Sequence, residues 1–254
     1  MSDKPPYVVT PTAPASSPDR AATLIFLHGY GDDAEGLPLG LAQQFQFAKK
    51  MEHLKWVLPT ASHNHEAMTR AWYVPKALPN VMKPHVGDED EDAPDDEAGI
   101  MKSVDIVDQL VEQEIKSGTP PERILVGGFS QGCAVSLVWG LTGRLRNKIG
   151  GMVCLSGYFP LRDRIGPLRK ERLPQGSRRD ADELPVKGGK KWFYVHGTMD
   201  TLVPTKLYTQ GKEELAKWVD QGDIEEHLYA GMGHATGASE LRDLLGFFEK
   251  VVPP

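Results

Sequence analysis

The chain has 254 residues, of which 40% are hydrophobic and 25% are charged, with 26 glycines, 20 prolines and 2 cysteines. These proportions are ordinary for a globular protein, and they exclude a collagen, a coiled coil or a wholly disordered chain. The net charge of −6 supplies no overall positive field, so a nucleic-acid partner is not expected.

The N-terminal residues 1–10 are polar and rich in proline, without the apolar core of a signal peptide. No stretch approaches the roughly 20 apolar residues of a spanning helix. We therefore expect a soluble protein that is not secreted and has no stable membrane insertion. Cys133 and Cys154 are expected to be free thiols, because secreted disulfide scaffolds normally carry more cysteines. The expected location is the cytoplasm, with the nucleus as a second compartment.

Short apolar runs alternate with amphipathic or polar segments from residue 22 onward. Short, wholly apolar runs are typical of buried strands, and apolar residues at steps of three or four are typical of helices. In chain order these patterns predict a strand at 22–27, a helix at 36–50, a strand at 56–58, a helix at 100–115, a strand at 124–129, a helix at 131–141, strands at 149–155 and 192–195, a helix at 206–219, a strand at 224–229 and a helix at 241–252.

Strands that alternate with helices predict an α/β protein whose mostly parallel central sheet has helices on both faces. No internal repeat and no long linker divides the sequence, so we expect a single domain over residues 1–254. In such sheets ligands bind beyond the carboxyl ends of the strands. Catalytic side chains should therefore follow predicted strands directly.

Two charged stretches are interpreted first as exposed segments. Eight of the ten residues from Asp88 to Glu97 are acidic, which is typical of a solvated loop before a helix, with partner binding as the alternative. Residues 162–191 hold ten basic and five acidic residues and are expected to form a long exposed excursion. Transient contact of this basic stretch with a membrane surface stays open as an alternative.

The residues Gly128-Phe129-Ser130-Gln131-Gly132 form a G-x-S-x-G pattern. A predicted strand runs directly into the pattern and a predicted helix leaves it, which is the arrangement that exposes a serine hydroxyl above the edge of a sheet. Glycines suit this crowded turn because they carry no side chain. Ser130 is therefore the candidate nucleophile.

A serine nucleophile needs a histidine base and an acid that orients the histidine. Among the eight histidines, His196 and His234 sit at the ends of predicted strands, and only His234 comes after a suitable acid, Asp200. His28 is expected instead to brace a loop. The order Ser130, Asp200, His234 is the order found in α/β-hydrolases, and it predicts a catalytic triad.

Attack on an acyl carbonyl also needs donors for the developing oxyanion. The backbone N–H of Gln131, directly after the nucleophile, and that of Tyr30, in the loop after the first buried strand, are the candidate donors. His-Gly loops also occur as plain turns, so a purely structural role for Tyr30 stays open. The mechanism requires no metal or organic cofactor.

Taken together, these residues resemble the cytosolic acyl-protein thioesterases, also described as small carboxylesterases or lysophospholipases, which have the α/β-hydrolase fold. The resemblance implies a serine hydrolase that cleaves acyl thioesters and esters through an acyl-enzyme, with S-acylated proteins or lipid-like esters as substrates. Carboxylesterase or lysophospholipase activity is the alternative that it leaves open. The resemblance covers most of the chain and rests on Phe26–Asp32, Asp96–Ile100, Arg123–Gly132, Leu155–Gly157, His196-Gly197, Asp200–Pro204 and Gly231–His234.

The family's tryptophan near the active site corresponds to Trp72, which is expected either to wall the acyl path or to pack as a core aromatic. Leu37, Leu202 and Val203 are tentative substrate-binding residues, although apolar residues near loops more often serve packing. Neither the preferred acyl-chain length nor the oligomeric state follows from the sequence.

Two other classes of protein compete with a serine hydrolase. The cluster His63-Asn64-His65-Glu66 resembles a set of metal ligands, but its spacing is poor and nothing nearby supplies an obvious third ligand. A non-catalytic binding protein on the same fold would normally lose a member of the triad, and all three members are present here. Both alternatives are therefore disfavoured.

Overall fold

The computed structural model describes residues 4–75, 95–172 and 189–254. Its strands are β1 (Tyr7–Val9), β2 (Ala22–Leu27), β3 (Leu54–Leu58), β4 (His63–Asn64), β5 (Thr69–Arg70), β6 (Ile124–Phe129), β7 (Gly151–Leu155), β8 (Lys191–Gly197) and β9 (Ile224–Tyr229). Its helices are α1 (Leu37–Phe47), α2 (Glu97–Lys116), α3 (Gln131–Thr142), α4 (Ile165–Arg172), α5 (Thr205–Leu215) and α6 (Ala238–Val251).

Seven of these strands form one sheet in the order β1-β3-β2-β6-β7-β8-β9. β1 pairs antiparallel with β3, and every other neighbouring pair is parallel. The carboxyl ends of β2, β6, β8 and β9 therefore meet at one edge of the sheet, which we call the carboxyl edge, and their first residues define the amino edge. This architecture confirms the α/β class with a mostly parallel sheet.

Two hydrophobic clusters cover the two faces of the sheet. One contains the apolar faces of α2, α3, α4 and α5, with buried residues such as Val104, Val135 and Ile165. The other contains α1 and α6, with Phe45 and Phe247 against the opposite face. Strands β2 and β6 are buried along their whole length, which explains why their sequences are continuously apolar rather than alternating.

The predicted elements agree with the structure apart from boundary shifts and four omissions. The helix predicted at 36–50 spans 37–47, and the helix predicted at 206–219 ends at Leu215. Four elements were not predicted from the sequence, namely β1, the short pair β4 and β5, and α4. β1 is an edge strand of three residues in which only Val9 is buried, and its apolar run is shorter than the roughly four to eight residues that identify a strand.

The prediction for residues 162–191 was wrong in its first part. Residues 162–164 form a 3₁₀ turn and α4 follows, with Ile165, Leu168 and Arg169 buried against the core. Residues 173–188 of this stretch lie outside the described residues, as do residues 88–94 of the acidic run. The end of that run behaves as expected, because the Asp96 carboxylate accepts a hydrogen bond from the N–H of Gly99 in the first turn of α2.

None of the helices within the described ranges combines the length and the apolar character that a membrane span needs.

Candidate active site

Ser130 lies in the tight turn between β6 and α3, with φ at 55° and ψ at −117°. Its N–H donates to the carbonyl of Leu155 at 3.0 Å, which fixes the turn on the neighbouring strand. The flanking glycines are required sterically. A Cβ on Gly132 would lie 2.3 Å from the carbonyl oxygen of Leu27, and one on Gly128 would lie 2.4 Å from the carbonyl carbon of Gly132.

Hydrogen bonds join the three predicted catalytic side chains in one line at the carboxyl edge. The Ser130 hydroxyl lies 2.9 Å from His234 Nε2. The other ring nitrogen, Nδ1, lies 2.7 Å from Asp200 Oδ2. Because a carboxylate only accepts, Nδ1 carries the hydrogen and Nε2 is left free to accept the hydroxyl proton. The geometry can therefore transfer a proton from serine to histidine.

Contacts between two loops bring Asp200 and His234 together. The loop after β8 and the loop after β9 share two hydrogen bonds, from Gly231 N–H to Thr198 Oγ1 at 3.0 Å and from Met199 N–H to the Met232 carbonyl at 2.9 Å. Residues 34 positions apart are thereby held at hydrogen-bonding distance.

Asp200 is buried, yet both of its carboxylate oxygens have donors. Oδ1 accepts the N–H groups of Leu202 and Val203 at 3.0 and 2.8 Å, and Oδ2 accepts from His234. Burial by itself raises the pKa of this carboxyl, but the hydrogen bonds from His234 and Val203 outweigh it and hold the pKa below its ordinary value. Asp200 is thus ionised and able to stabilise a positive charge on His234.

A second histidine, not predicted from the sequence to take part, contacts the same carboxylate. His196 is fully buried in β8, and its Nε2 lies 2.8 Å from the Val203 carbonyl and 3.3 Å from Asp200 Oδ2. Burial lowers the pKa of His196, so the ring stays neutral and donates from Nε2. The spacing of His196 and Asp200 by four residues across a strand end was the available signal.

The two predicted oxyanion donors flank Ser130. The loop after β2 passes close to the nucleophile, since a Cβ on Gly29 would lie 3.4 Å from Ser130 Cβ. Gln131 opens α3, where a backbone N–H has no acceptor within its own helix. Within the described part of the chain, the N–H groups of Tyr30 and Gln131 donate to no protein acceptor. Both are available to a ligand.

Buried polar contacts fix the loop that carries Tyr30. The Trp72 indole N–H donates to the His28 carbonyl at 2.9 Å. His28 lies inside the same network: its Nδ1 is 2.7 Å from the Gly29 carbonyl and its Nε2 accepts from Ala61 N–H at 2.9 Å. Burial lowers the pKa of His28, which keeps it neutral for these two bonds. The expected bracing role of His28 agrees with these contacts.

The Gln131 side chain, for which no role was predicted from the sequence, extends this network. Its Oε1 accepts the Trp72 N–H at 2.9 Å and its Nε2 donates to the Tyr73 carbonyl at 2.8 Å. The residue after the nucleophile therefore offers its backbone to the site and ties α3 to the Trp72 segment with its side chain.

The tentative substrate-binding residues occupy different environments. Trp72 is 5% exposed and Val203 is buried, with the backbone of Val203 engaged by Asp200 and His196. Leu202 is 59% exposed next to Asp200, and Leu37 at the start of α1 is half-buried. Their roles toward a substrate stay predictions.

The cluster His63–Glu66, disfavoured as a metal site on its sequence, lies on the short strand β4 and the turn after it, where the ring centres of His63 and His65 are 5.4 Å apart. Among the residues that the structure describes, no group of three or more histidine, cysteine, aspartate or glutamate side chains is placed to hold a metal ion.

Comparison with known proteins places the chain in a family. The family model described as phospholipase/carboxylesterase matches residues 10–252. The chain belongs to this family. The acyl-protein thioesterase 1 of Yarrowia lipolytica is 33% identical over 236 residues, covering 91% of this chain and 92% of the relative. That of Mycosarcoma maydis is 34% identical over 258 residues, covering 94% and 95%.

A solved structure has the same fold. The crystal structure of Arabidopsis thaliana SOBER1 superposes with a TM-score of 0.71 at 25% identity, covering 91% of this chain and 99% of that one. The α/β-hydrolase fold and the resemblance to acyl-protein thioesterases are thereby confirmed. As a member of the phospholipase/carboxylesterase family, the protein is a serine hydrolase.

Proposed function

We propose that Ser130 is the nucleophile, His234 the general base and acid, and Asp200 the group that orients and stabilises His234. The observation that carries this assignment is the continuous line of hydrogen bonds from the Ser130 hydroxyl through His234 to Asp200, at 2.9 and 2.7 Å. The N–H groups of Tyr30 and Gln131 form the oxyanion hole.

The reaction follows from these roles. His234 Nε2 takes the hydroxyl proton while Ser130 Oγ attacks the acyl carbonyl carbon, and the two N–H groups stabilise the resulting oxyanion. The bond to the leaving sulfur or oxygen then breaks, and the leaving group takes the proton from His234. Water next attacks the acyl-enzyme, giving its proton to His234, and the carboxylic acid departs as the proton returns to Ser130.

Within this reaction class, we propose acyl thioesters on protein cysteines as the main substrate, so that the enzyme removes palmitoyl-type chains. The relatives at 33% and 34% identity, both acyl-protein thioesterases that match over more than nine-tenths of the chain, support this choice. Carboxylesterase or lysophospholipase activity on small esters or lysolipids is the second candidate, favoured by the description of the family.

The cellular setting is also proposed. The two cysteines are buried free thiols, which fits a reducing compartment such as the cytoplasm. The nucleus as a second location and a single domain over residues 1–254 stay predictions. Of the expected apolar contacts, Leu202 and Leu37 have the exposure that an acyl chain would need.

Replacing the nucleophile tests the assignment. The variant Ser130→Ala should lose at least about 10³-fold in turnover of a short aryl ester, because the attacking oxygen is gone while the oxyanion donors remain. It should also fail to react with a fluorophosphonate probe, and its unfolding midpoint should match the wild type. Ser62→Ala, at an exposed serine, is the matched control. Turnover by Ser130→Ala at the wild-type rate would refute the role of Ser130.

A panel of substrates tests the choice of acyl thioester. One preparation is assayed for kcat/KM on an S-palmitoyl peptide, lysophosphatidylcholine and a short aryl ester, with Ser130→Ala as the blank for each. We expect the S-palmitoyl peptide to have the highest kcat/KM. A higher value for lysophosphatidylcholine or the aryl ester would contradict the thioesterase proposal and leave the serine mechanism intact.

A further inference from the structure

A cavity of about 70 Å³ lies at the amino edge of the sheet, opposite the edge that carries Ser130. Its apolar wall includes Leu141 near the end of α3, Trp192 at the start of β8 and Trp218 just after α5. Charged side chains enter it from Arg169 on α4 and from Lys190 just before β8. A cavity of this size holds several water molecules.

Both cations are held over aromatic rings. The guanidinium carbon of Arg169 lies 5.3 Å from the centre of a Trp218 ring, and Lys190 Nζ lies 5.1 Å from that of Trp192. Cation–π contacts of this kind position a cation but satisfy none of its N–H donors. The hydrogen-bonding needs of the two cations therefore have to be met by other groups.

Two buried arginine atoms here lack an acceptor. Arg146 and Arg169 are 2% and 4% exposed. They donate from Nη1 to the carbonyls of Gly143 and Leu141 at the end of α3, while the Nε of each is buried without a hydrogen-bond partner. Leaving a buried donor unpaired costs about 1–3 kcal/mol, more for a charged group. The hydrogen bonds to the end of α3 therefore satisfy only some of the donors of these two buried arginines.

Among the described residues, one carboxylate, that of Asp108, acts on this group of cations, through its charge on Arg146. Asp108, the nearby acid, is already engaged: its two oxygens accept from Trp139, Arg172 and the side chain and N–H of Arg144. Within the part of the chain that the structure describes, Arg146, Arg169 and Lys190 form no ion pair. Three positive charges thus lie close together without an ion-pair partner in the described ranges.

The pKa of Lys190 is lowered by these surroundings. Burial lowers the pKa of Lys190 to about 7, the positive charges of Arg146 and Arg169 act in the same direction, and Cys154 opposes them weakly. Burial also lowers the pKa of Arg146 to about 10. An anion at this point would relieve repulsion among the three cations.

We propose that the cavity is a binding site for a small oxyanion of the phosphate type. Arg169, Lys190 and Asn147 line it, and the positive charge of Arg146 acts on Lys190. Oxyanion oxygens supply the acceptors that the guanidinium N–H groups lack, and a doubly charged anion offsets the charge of the group. The same chemistry is offered by free phosphate and by the end of a phosphate monoester.

Tryptophan fluorescence of the full chain tests the proposal, because Trp192 and Trp218 line the cavity. Inorganic phosphate, and separately glycerol phosphate, should give a saturable change with a Kd of about 1 mM or tighter, and sodium chloride at equal ionic strength should give none. Tighter binding of glycerol phosphate would assign the site to monoesters, and tighter binding of inorganic phosphate would assign it to the free anion.

Two matched variants assign the binding to the cavity. Lys190→Gln should weaken phosphate binding by at least about tenfold. Lys148→Gln makes the same charge change at an exposed lysine two residues from Arg146, and it should leave the affinity within about twofold. Both variants should keep wild-type ester turnover, which shows that they fold. Equal weakening by the two variants would overturn the proposal, as would the absence of any saturable change with either phosphate.

The pH dependence gives an independent readout, measured with sulfate because sulfate does not titrate near neutral pH. Affinity should fall as the pH rises through about 7, since Lys190 then loses its proton, and it should be flat in Lys190→Gln. A decline of the same size in the variant would show that another group controls binding.

Discussion

Ser130 adopts a backbone conformation that residues with a side chain rarely occupy, with φ at 55°. Such a conformation costs about 1–3 kcal/mol and persists only where the surroundings enforce it. Here the close packing of Gly128 and Gly132 and the hydrogen bond to Leu155 enforce it. The result is a hydroxyl held in line with His234 before any substrate arrives.

Single side chains also decide how rigid the oxyanion loop is. Trp72 is buried, and its indole N–H holds the carbonyl of His28, two residues before the proposed donor Tyr30. Its backbone is fixed in turn by Gln131 and by Ser103, whose hydroxyl donates to the Trp72 carbonyl at 2.6 Å. These contacts favour bracing over the alternative of a wall along the acyl path.

Trp72→Phe separates these two roles. Loss of one buried hydrogen bond, worth about 1 kcal/mol, should loosen the loop and lower kcat/KM by roughly three- to tenfold, equally for esters of short and long acyl chains. Trp139→Phe loses a comparable indole bond to Asp108 far from the site, and should destabilise the fold without lowering kcat/KM. A loss confined to long-chain esters would show that Trp72 walls the acyl path.

At the scale of elements, β6 and α3 meet so closely that only glycine fits between them and β2. Gly132 in the first turn of α3 faces the carbonyls of Leu27 and His28, to which an added Cβ would lie 2.3 and 2.6 Å away. These are backbone atoms of a buried strand and the loop after it, so they have little room to move. The contact sets the distance between the nucleophile turn and the oxyanion loop.

Alanine at two helical glycines should therefore have opposite effects. Gly132→Ala should lower the free energy of unfolding by about 1–3 kcal/mol and reduce ester turnover, because the backbone must shift. Gly246→Ala in α6, where an added Cβ meets nothing within 4 Å, should raise the free energy of unfolding by about 0.5–1 kcal/mol and leave ester turnover unchanged. Urea unfolding and ester assays measure both effects. A neutral Gly132→Ala would contradict the close packing.

Local sequence patterns were sufficient to predict some of these elements and insufficient for others. Strands β2 and β6 and helix α2 were predicted to within a few residues, because a buried strand and a long amphipathic helix each have a strong periodicity. α4 was missed because its sequence is dominated by charge, although Ile165 and Leu168 are buried and Arg169 caps the end of α3. Its burial depends on distant partners rather than on its own pattern.

For the molecule as a whole, the free energy of unfolding depends on pH because folding shifts the pKa values of two carboxyls, Asp200 and Glu240, in opposite directions. The pKa of Asp200 is lowered in the folded chain, so its stabilising contribution is present above its ordinary value of 3.8 and is lost as the pH falls through the folded value. Glu240 in α6 behaves in the opposite way. It is fully buried, one of its oxygens has no partner, and burial raises its pKa to about 7.

Between pH 4.5 and about 7, the folded chain holds a proton on Glu240 that the unfolded chain has released, so the free energy of unfolding falls as the pH rises. Glu240→Gln removes this penalty. Above pH 7 the variant should be more stable than the wild type by about 1–3 kcal/mol, and below pH 4.5 the advantage should vanish. Urea unfolding across this pH range measures it, with Glu249→Gln at an exposed site of the same helix as the control. An advantage independent of pH would contradict a raised pKa.

The sequence by itself determined the α/β class, the strand–serine–helix turn and the order of Ser130, Asp200 and His234, because strand periodicity, turn chemistry and chain order are local properties. Only the tertiary structure decided that two loops join Asp200 to His234, that His196 shares the same carboxylate, and that Gln131 and Trp72 brace the oxyanion loop. It also gathered Arg146, Arg169 and Lys190 at the amino edge. Each of these contacts joins segments that meet only when parallel strands from distant parts of the chain align in one sheet, and no local pattern encodes that meeting.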